Sequence, residues 1–453
     1  MHVRMLRFLE HRCDFSRPIL VALSGGPDSV ALLYMLLECA KTLPLKIGIA
    51  HVDHGWRKQS AWEASTLRAL ASQLNLPFHL KVLNPMLLSG NLENACRQLR
   101  YAFFSQLAEE HHYQAVLVGH HQDDLSETVL KRVFEGASLI NLKGIQADTE
   151  IYQIPVWRPL LEFSKEAILR WLKERNISSF EDSTNLDVRF LRGRLRSVVL
   201  PFLTKEFGKE VKGSLIHLSK EAEELGDFLK QHLQVYLEGV IESPLGLMLD
   251  LSEKTPSSLF ELKQLLRYFF EREGVRLGRA QLSTAMQLIR EKKGNKQLKI
   301  DQKTVYFDRA RLFIERNPLT ANGAPQRLDA SLSEYASWKI TWSSMAEGSV
   351  EAVCGTSWKE VWNGNFWMIL PIGDYHLGPP CVKKEYPRSS SLDKWWTAHR
   401  VPAFLRSKVP VVWHENRIFH EFLSGKMNAF HGKVKQWAKV TFEYAQRHPS
   451  SNL

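Results

Sequence analysis

A turn with the composition of a phosphate-binding loop lies near the N-terminus, with the sequence Ser24-Gly25-Gly26-Pro27-Asp28-Ser29. It separates the short apolar run Ile19–Leu23 from a longer apolar stretch, which predicts a strand, a tight turn and a helix. The glycines let backbone N–H groups face an anion, the serines add hydroxyl donors, and Pro27 suits a first helical turn. The turn lacks the lysine of a Walker A loop, so a nucleotide would be held in another way. The alternative is an ordinary glycine-rich connection.

A second group of reactive side chains contains two histidines and three acids within eight residues: His120, His121, Asp123, Asp124 and Glu127. The spacing predicts that Asp124 and Glu127 share one face at the start of a helix. Helix capping and the helix dipole would explain one acid but not the whole cluster. The cluster could bind a divalent cation, hold an ammonium group or transfer protons. It lacks the His-Glu-x-x-His pattern of hydrolytic zinc sites.

Two sets of arginines could contact phosphates. Arg97 and Arg100 lie on the polar side of a helix predicted from Asn91, where Arg97 could also form a surface pair with Glu93. The second set follows an acidic loop and consists of Arg189, Arg192, Arg194 and Arg196. A solvated helix face and a group of phosphate contacts are both compatible with that set.

These residues require a scaffold that brings distant segments together. Between residues 19 and 135, short β-like runs alternate with longer helical patterns, as in βαβ units with a parallel sheet. The predicted strands are Ile19–Leu23, Leu45–Ala50, Phe78–Leu83 and Ala115–Gly119. A polar cluster follows each strand, including His51-Val52-Asp53-His54-Gly55 after the second. Because such connections lie at the carboxyl edge of an open sheet, we expect four clusters to converge on one site.

The composition, 44% hydrophobic and 24% charged, is that of a globular protein. No apolar run approaches the roughly 18 to 20 residues that cross a bilayer, and the N-terminus is unlike a signal peptide, so we expect a cytoplasmic protein without a membrane partner. Five scattered cysteines predict neither zinc nor a disulfide framework. The net charge is +11, and residues 381–453 carry thirteen Lys/Arg against five Asp/Glu, a balance of +8. This excess favours a polyanionic partner.

The 453 residues are enough for two to four domains. Leucines at helical spacing between Phe202 and Arg316 predict a helical module, and Asn317–Pro325 has the composition of a linker. The fold class is therefore α/β: a parallel-sheet, Rossmann-like N-terminal domain (1–203), a helical middle domain (204–316) and a small α+β C-terminal domain (326–453). Strands are expected in the last domain at Trp338–Trp342, Asn365–Leu370, Val409–Trp413 and Arg417–Phe422, around a helix at Leu392.

Together, these motifs resemble the tRNA(Ile)-lysidine synthetase family of PP-loop ATP pyrophosphatases. Single motifs occur in other PP-loop proteins, but the set in this order and spacing is specific. The matching segments are Ser24–Ser29, His51–Gly55, the Asn91/Glu93/Arg97/Arg100-Tyr101 helix, His120–Thr128, and Asp182-x-Thr184-Asn185 with the arginines after it. Leu392–Trp396 and Val401–Pro410 resemble the family's end domain, so the resemblance covers nearly the whole chain.

The resemblance implies an ATP-dependent ligase that joins L-lysine to the wobble cytidine of tRNA(Ile) with a CAU anticodon. In that family the cytidine C2 oxygen attacks the α-phosphate of ATP and pyrophosphate leaves. The lysine ε-amine then displaces AMP. The implied substrates and cofactors are tRNA(Ile), L-lysine, ATP and Mg²⁺, and whether the protein forms a homodimer is left open.

Residue roles follow from the same resemblance. The implied ATP-binding residues are Ser24, Gly25, Gly26, Pro27, Asp28, Ser29, His51 and Asp53. The implied catalytic residues are Asp28, Arg97, Arg100, His120, His121 and Asp123, with Asp28 also as a magnesium ligand. Asp124 and Glu127 would bind lysine. The implied tRNA contacts are Arg189, Arg192, Arg196, Lys394, Arg406, Lys433 and Lys435.

Some points stay open in the sequence. The base that deprotonates the lysine amine could be His120, His121 or a carboxylate of Asp123 or Asp124. The chain has Leu125 and Gly193 where the family usually has glutamine and asparagine. The alternatives are a tRNA 2-thiolation enzyme, which the lone cysteines argue against, and a non-catalytic RNA-binding protein with a relic ATP pocket.

Overall fold

The structure is a computed structural model that describes residues 1–55, 60–84, 92–180, 191–300, 303–317, 319, 323–345, 356–380, 390–425 and 436–445. The chain forms two units, Met1–Phe228 and Leu229–Leu453. None of the described helices is both long and apolar enough to span a bilayer.

The predicted parallel sheet is the centre of the first unit. Its strands are β1 (Ile19–Ala22), β2 (Ile47–Asp53), β3 (Phe78–Val82), β4 (Val116–Leu117), β5 (Asp148–Ile151) and β6 (Ile154–Trp157). They lie in the order β3-β2-β1-β4-β6-β5, and all neighbours are parallel except the antiparallel pair β5 and β6. The central strand β1 is apolar and buried on both faces, because helices cover both sides of a parallel sheet.

Helices alternate with these strands. They are α1 (His2–Arg12), α2 (Pro27–Cys39), α3 (Ser60–Gln73), α4 (Leu92–His111), α5 (Gln122–Phe134), α6 (Lys165–Glu174), α7 (Leu191–Arg194), α8 (Leu200–Phe207) and α9 (Val211–His232). A short 3₁₀ helix covers Leu139–Lys143, and a π-helical turn covers Leu195–Val199. The α/β class and the four strand positions are therefore confirmed.

Strand β2 differs from its prediction in where it ends. It continues to Asp53, so that His51 and Asp53 lie on the strand rather than in a connection after it. The physical reason is the ladder with β3, which pairs Ile49 with Phe78 and continues as far as Asp53 with Val82. The polar side chains therefore stand on a hydrogen-bonded strand, which holds them more firmly than a loop would.

The second unit contains the expected helices and a sheet that the helical prediction for 204–316 missed. Helices α10 (Gln234–Leu237), α11 (Leu259–Glu271) and α12 (Arg279–Arg290) accompany five antiparallel strands. The strands are β7 (Val240–Ser243), β8 (Gly246–Asp250), β9 (Lys296–Ile300), β10 (Lys303–Asp308) and β11 (Arg311–Glu315), in the order β7-β8-β11-β10-β9. The strands are only four to six residues long, and a short apolar run does not distinguish a strand from a buried helix segment.

Two four-stranded sheets complete the second unit, in the orders β12-β16-β17-β18 and β13-β14-β19-β15. Their elements are β12 (Gln326–Arg327), β13 (Glu334–Tyr335), β14 (Trp338–Met345), α13 (Trp358–Trp362), β15 (Asn365–Pro371), β16 (His376–Gly378), α14 (Ser390–Ala398), α15 (Ala403–Arg406), β17 (Val411–His414), β18 (Arg417–Glu421) and β19 (Trp437–Tyr444). The four predicted strands and the helix at Leu392 are all present.

One apolar cluster joins the middle segment to the C-terminal segment. Met248 on β8 and Phe313 on β11 are fully buried in the same cluster as Trp362 and Phe366. The ring of Phe313 lies 5.2 Å from that of Trp362 and 5.1 Å from that of Phe404. The boundaries 204–316 and 326–453 stay a prediction, and this shared core weighs against two separately folded domains.

Candidate active site

The loop Ser24–Ser29 connects β1 to α2 at the carboxyl edge of the parallel sheet. Ser29 Oγ accepts the backbone N–H of Ser24 at 3.1 Å and donates to the Gly26 carbonyl at 3.0 Å, so the loop closes on itself. Gly25 has a φ of +87°, and a Cβ there would overlap the ring of Phe180. Gly26 precedes α2, and no side chain among the described residues caps that helix. Its first N–H groups can therefore bind an anion.

A cavity of about 460 Å³ opens beside this loop, where β1, β2 and β4 end. Gly119, which follows β4, allows a close approach here, because a Cβ on it would lie 2.9 Å from the carbonyl carbon of Asp28. The lining contains eleven of the predicted site residues: Ser24, Gly26, Pro27, Asp28, Ser29, His51, Asp53, Arg100, His120, Asp124 and Arg192. The fold therefore brings together groups that are separated by up to about 170 positions in the chain.

Asp28 lies in the first turn of α2 and is surrounded by positive charge. The Lys165 ammonium is 2.6 and 2.7 Å from its two carboxylate oxygens, and Nε2 of His121 lies 3.6 Å away. Burial alone would raise the pKa of Asp28, but the contacts with His121 and Lys165 outweigh burial and lower it. Asp28 is therefore an anion at neutral pH.

His121 caps α5 and is only 2% exposed. Its backbone N–H donates to the Asp124 carboxylate at 3.0 Å, and its Nε2 lies 3.4 Å from the same carboxylate. Its Nδ1 lies 3.2 Å from the Asp123 backbone nitrogen and 3.6 Å from the Asp123 carboxylate, so the neutral ring accepts from the first and the cation donates to the second. Burial opposes the cation, but Asp123, Asp28 and Asp124 together raise the pKa to about 9. His121 is thus a cation at pH 7, which argues against a role as the base.

Asp123 joins three elements of the first unit. Its carboxylate accepts the backbone N–H of Lys165 at 2.9 Å, at the start of α6, and contacts the ammonium of Lys212, at the start of α9. Burial would raise the pKa of Asp123, but the contacts with His121 and Lys212 hold it far below its usual range. Asp123 is therefore positioned as a permanent anion that fixes the start of α5.

Two histidines that line the cavity, His120 and His54, are neutral at pH 7. Burial lowers the pKa of His120 to about 4, although Asp124 opposes the shift, and Nε of Arg158 donates to Nδ1 of His120 at 3.3 Å. Burial and the charge of Arg100 likewise lower the pKa of His54 to about 4. The neighbouring histidines His120 and His121 therefore carry different charges at the same site.

The two arginines of α4 occupy different positions. Arg100 lines the cavity, and its Nη2 lies 3.5 Å from Nε2 of His54. Arg97 places its guanidinium over the ring of Tyr101, 5.0 Å from the centroid, and is absent from the cavity lining among the described residues. Glu93, the alternative surface partner of Arg97, has a side chain outside the described residues. Of the two α4 arginines, Arg100 is therefore the one that adds positive charge to the cavity wall.

Glu127 is almost fully buried and is paired with Arg196. Arg196 donates to its two carboxylate oxygens at 2.7 and 3.2 Å, and to the Asp124 carboxylate at 3.2 Å. Burial raises the pKa of Glu127 despite this pair. The two predicted lysine ligands therefore share one guanidinium in this structure. The predicted tRNA contact of Arg196 stays a prediction.

The site residues on β2, His51 and Asp53, form hydrogen bonds that stabilise the carboxyl edge of the sheet. Nδ1 of His51 lies 2.7 Å from the Leu23 carbonyl, which links β2 to the end of β1. Asp53 accepts the backbone N–H of Gly55 at 2.8 Å and thereby orders the end of the strand. Both residues line the cavity and are at least nine-tenths buried.

The predicted tRNA contacts are dispersed. Arg192 lines the cavity, and Lys394 is exposed on α14. Arg406 donates to the Val401 carbonyl and to Thr397 Oγ1, so it also stabilises the connection between α14 and α15. Arg189, Lys433 and Lys435, like Asp182, Thr184 and Asn185, lie outside the described residues.

Sequence reasoning missed several residues of the site. Lys165, Lys212 and Arg158 contact Asp28, Asp123 and His120, respectively, and Phe180 packs against Gly25. No short-range pattern marks these residues, because each meets its partner only when the sheet is assembled. Single basic residues beside strands and helix starts would have been the only available signal.

Comparisons with known proteins identify what this chain is similar to. Residues 1–203 match the PP-loop domain family. A tRNA(Ile)-lysidine synthase from Protochlamydia amoebophila is 37% identical over 422 residues, which are 92% of this chain and 92% of that protein. The enzyme of the same name from Chlamydia muridarum is 36% identical over 67% of this chain and 93% of its own length. A solved structure of the U34-tRNA thiolase NcsA from Methanococcus maripaludis aligns with a TM-score of 0.41 at 17% identity, covering 49% of this chain and 78% of that protein.

The relative from Protochlamydia matches over nearly its whole length, and the family match covers the parallel-sheet domain that carries the cavity. The chain therefore belongs to the tRNA(Ile)-lysidine synthase family of PP-loop ligases.

Proposed function

We propose that the cavity catalyses ATP-dependent lysidine formation, joining L-lysine to the wobble cytidine of tRNA(Ile) with a CAU anticodon. The observation that carries the proposal is one cavity lined by the Ser24–Ser29 loop, Arg100, His120 and Asp124. It combines an anion-binding turn with a cation, an imidazole and a carboxylate, which a two-step nucleotidyl transfer needs. A location in the cytoplasm is supported by these substrates, and a homodimer stays a prediction.

In the first step the cytidine C2 oxygen attacks the α-phosphate of ATP, and the bond to the β-phosphate breaks. The N-terminus of α2 and the hydroxyls of Ser24 and Ser29 would bind the departing pyrophosphate. Arg100 would neutralise charge that develops between base and phosphate. The positive end of α2 would therefore stabilise the negative charge of the departing pyrophosphate.

In the second step the lysine ε-amine attacks C2, a C–N bond forms, and the C2–O bond to AMP breaks. The amine has an ordinary pKa near 10.4, so freeing its lone pair at pH 7 costs about 4 to 5 kcal/mol. Asp124 and Glu127 would hold the ammonium, and Arg196 must release Glu127 for both carboxylates to do so. Asp124 lines the cavity and is the more direct of the two partners.

The residues present fit a magnesium ion that is held jointly with ATP. Mg²⁺ is usually bound through one or two carboxylates and substrate phosphates rather than by an all-protein cage. Asp28 supplies one carboxylate beside the phosphate loop, and no cluster of three potential ligands occurs among the described residues. The ion would offset phosphate charge, and Asp28 would position it.

The test is to incubate the full chain with ATP, labelled lysine and CAU-anticodon tRNA(Ile), and to measure label in acid-precipitable RNA. We expect incorporation that depends on ATP and releases both pyrophosphate and AMP. Asp124→Asn should reduce incorporation more than the matched change of the exposed Asp227→Asn on α9.

Two other results would contradict the proposal. Sulfur incorporation with a sulfur donor, and none with lysine, would favour thiolation. Binding of ATP without either product would favour a relic pocket in an RNA-binding protein.

A further inference from the structure

His120 is held by a buried arginine that belongs to a different part of the sheet. Arg158 follows β6 and is 4% exposed. Its Nε donates to Nδ1 of His120 at 3.3 Å. His120 itself stands between β4 and α5 and lines the cavity. The bond therefore connects a cavity residue to the residue that directly follows the neighbouring strand β6.

Arg158 is fixed independently of His120. Its Nη1 donates to the Gln146 carbonyl and to Thr149 Oγ1, both at 2.8 Å, and its backbone N–H donates to the Ala147 carbonyl at 2.8 Å. These partners lie on or just before β5. Because two bonds from Nη1 orient the guanidinium from the edge of the sheet, its Nε–H direction does not depend on the histidine.

This contact determines where the imidazole carries its proton. A guanidinium is only a donor, so Nδ1 of His120 must accept, and the proton of the neutral ring is on Nε2. The charged groups around the ring are Asp124 on α5, Arg158 after β6, Arg192 on α7 and Arg97 on α4. Three cations against one anion, together with burial, disfavour a second proton on the ring.

We propose that Arg158 is a positioning residue that fixes His120 as the Nε2–H tautomer, so that His120 serves the cavity as a hydrogen-bond donor and not as a base. The acceptor would be an oxygen of the α-phosphate or of the adenylated cytidine; this part rests on the proposed function, whereas the tautomer does not. The lysine proton must then go to another acceptor, and of the carboxylates that line the cavity Asp124 is the one that the proposed function places against the lysine ammonium.

The tautomer can be read directly in the full chain labelled with ¹⁵N-histidine. Long-range ring ¹H–¹⁵N correlations distinguish Nδ1–H, Nε2–H and doubly protonated rings, and His120→Gln identifies the signal among the 17 histidines. We expect the Nε2–H pattern at pH 7, unchanged down to pH 5. A proton on Nδ1, or a ring that titrates near pH 6.5, would overturn the proposal whether or not the enzyme makes lysidine.

A matched pair of variants tests the donor role. His120→Gln keeps an amide N–H near the position of Nε2 but cannot act as a base, whereas His120→Ala removes both functions. We expect His120→Gln to retain activity within about tenfold of the native chain, and His120→Ala to lose about 10² to 10³-fold, the usual loss for one transition-state donor. Equal losses in both variants would contradict the donor role. No activity in the native chain would refute the proposed function instead and leave the tautomer result standing.

Arg158→Met tests the positioning role through the pH profile. Burial, the largest cause of the lowered pKa of His120, remains without Arg158, so the pKa should rise from about 4 only part of the way toward the ordinary 6.5. Pyrophosphate release should therefore gain a pH dependence on the acid side, between about pH 4 and 6.5. Arg158→Lys, which retains a cation, should show a smaller change. Arg132→Met is the control, since Arg132 also donates to main-chain carbonyls, those of Asn141 and Gly144. A pH profile that changes equally in both Met variants would make Arg158 merely structural.

Discussion

At the scale of single residues, the site is organised by charge pairs between distant segments. His120 and His121 are adjacent in the chain, yet one is neutral beside Arg158 and the other is a cation among three carboxylates. The sequence predicts both as candidate bases and gives no reason to choose between them. The choice depends on Arg158, Lys165 and Lys212, whose positions follow from the assembled fold.

The ammonium of Lys165 pairs with the carboxylate of Asp28, which would otherwise bind magnesium. This pair leads to a first prediction. Lys165→Met should lower the Mg²⁺ concentration needed for half-maximal ATP binding by about two- to fivefold, because a partly exposed ion pair contributes about 0.5 to 1 kcal/mol. A magnesium titration of ATP binding by calorimetry measures this change.

Lys131→Met is the matched control, since Lys131 pairs with Glu135 on the outer side of α5. An increased magnesium requirement in Lys165→Met would mean that Lys165 assists the ion rather than competes with it.

The partly buried His54 predicts a loss of stability in acid. Its folded pKa of about 4 lies below the ordinary value of 6.5, so the unfolded chain binds a proton first as the pH falls. The contribution is fully present above pH 6.5 and is lost between pH 6.5 and about 4, by up to about 3 kcal/mol. Urea unfolding at pH 7 and pH 4.5 should therefore show a smaller decrease in unfolding free energy for His54→Gln than for the native chain.

The exposed His11 supplies the comparison for that experiment, as His11→Gln should leave the acid-side decrease unchanged. If the unfolding free energy of His54→Gln decreases as much as that of the native chain, groups other than His54 cause the loss of stability in acid.

At the scale of elements, the parallel sheet was predictable because its strands are apolar, bounded and followed by turn residues. The ends of those strands were less predictable: β2 includes polar residues that pair with β3. The five-stranded sheet of the second unit was not predicted, since its edge strand β9 is largely exposed and polar. The apolar residues of the helices α11 and α12 dominate the hydrophobic pattern of that segment, so the pattern predicts helices alone.

The loop before α2 gives a prediction about backbone conformation. Gly25→Ala should weaken ATP binding at least tenfold, because its positive φ strains any side chain and the new methyl overlaps Phe180. Gly208→Ala shares the positive φ of +63°, but no described atom lies within 4 Å of the added Cβ. It should cost only about 1 kcal/mol of stability and leave ATP affinity unchanged. Equal ATP affinities for the two variants would remove Phe180 from the explanation.

At the scale of the whole molecule, the basic C-terminal segment predicts salt-dependent tRNA binding. Changing Lys433, Lys435 and Lys439 together to Ala should reduce the slope of log affinity against log salt by up to about three units, if each contacts a phosphate. Of these, Lys439 lies on β19, with its ammonium 5.0 Å from the centroid of the Trp367 ring. An unchanged slope in filter-binding measurements would mean that these lysines do not contact tRNA phosphates, and Arg192 would be the next candidate for such a contact.

The shared core of the second unit predicts that its two segments do not fold apart. A chain ending at Arg316 would expose Met248 and Phe313, and each buried apolar side chain contributes about 1.5 to 3 kcal/mol. Amide exchange in β8 and β11 should therefore be fast in the shortened chain, whereas β1 stays protected. Slow exchange in β8 and β11 would support separate middle and C-terminal domains.

The packing of Phe313 against Trp362 and Phe404 also constrains how such a chain can diverge. A change of size on β11 must be matched by a compensating change on the C-terminal aromatics, so these positions should vary together across descendants. A lineage that discards its last third would need new polar residues on β8 and β11 at the same time. Wherever a chain keeps both segments, a substitution in one of them should therefore be accompanied by a fitting substitution in the other.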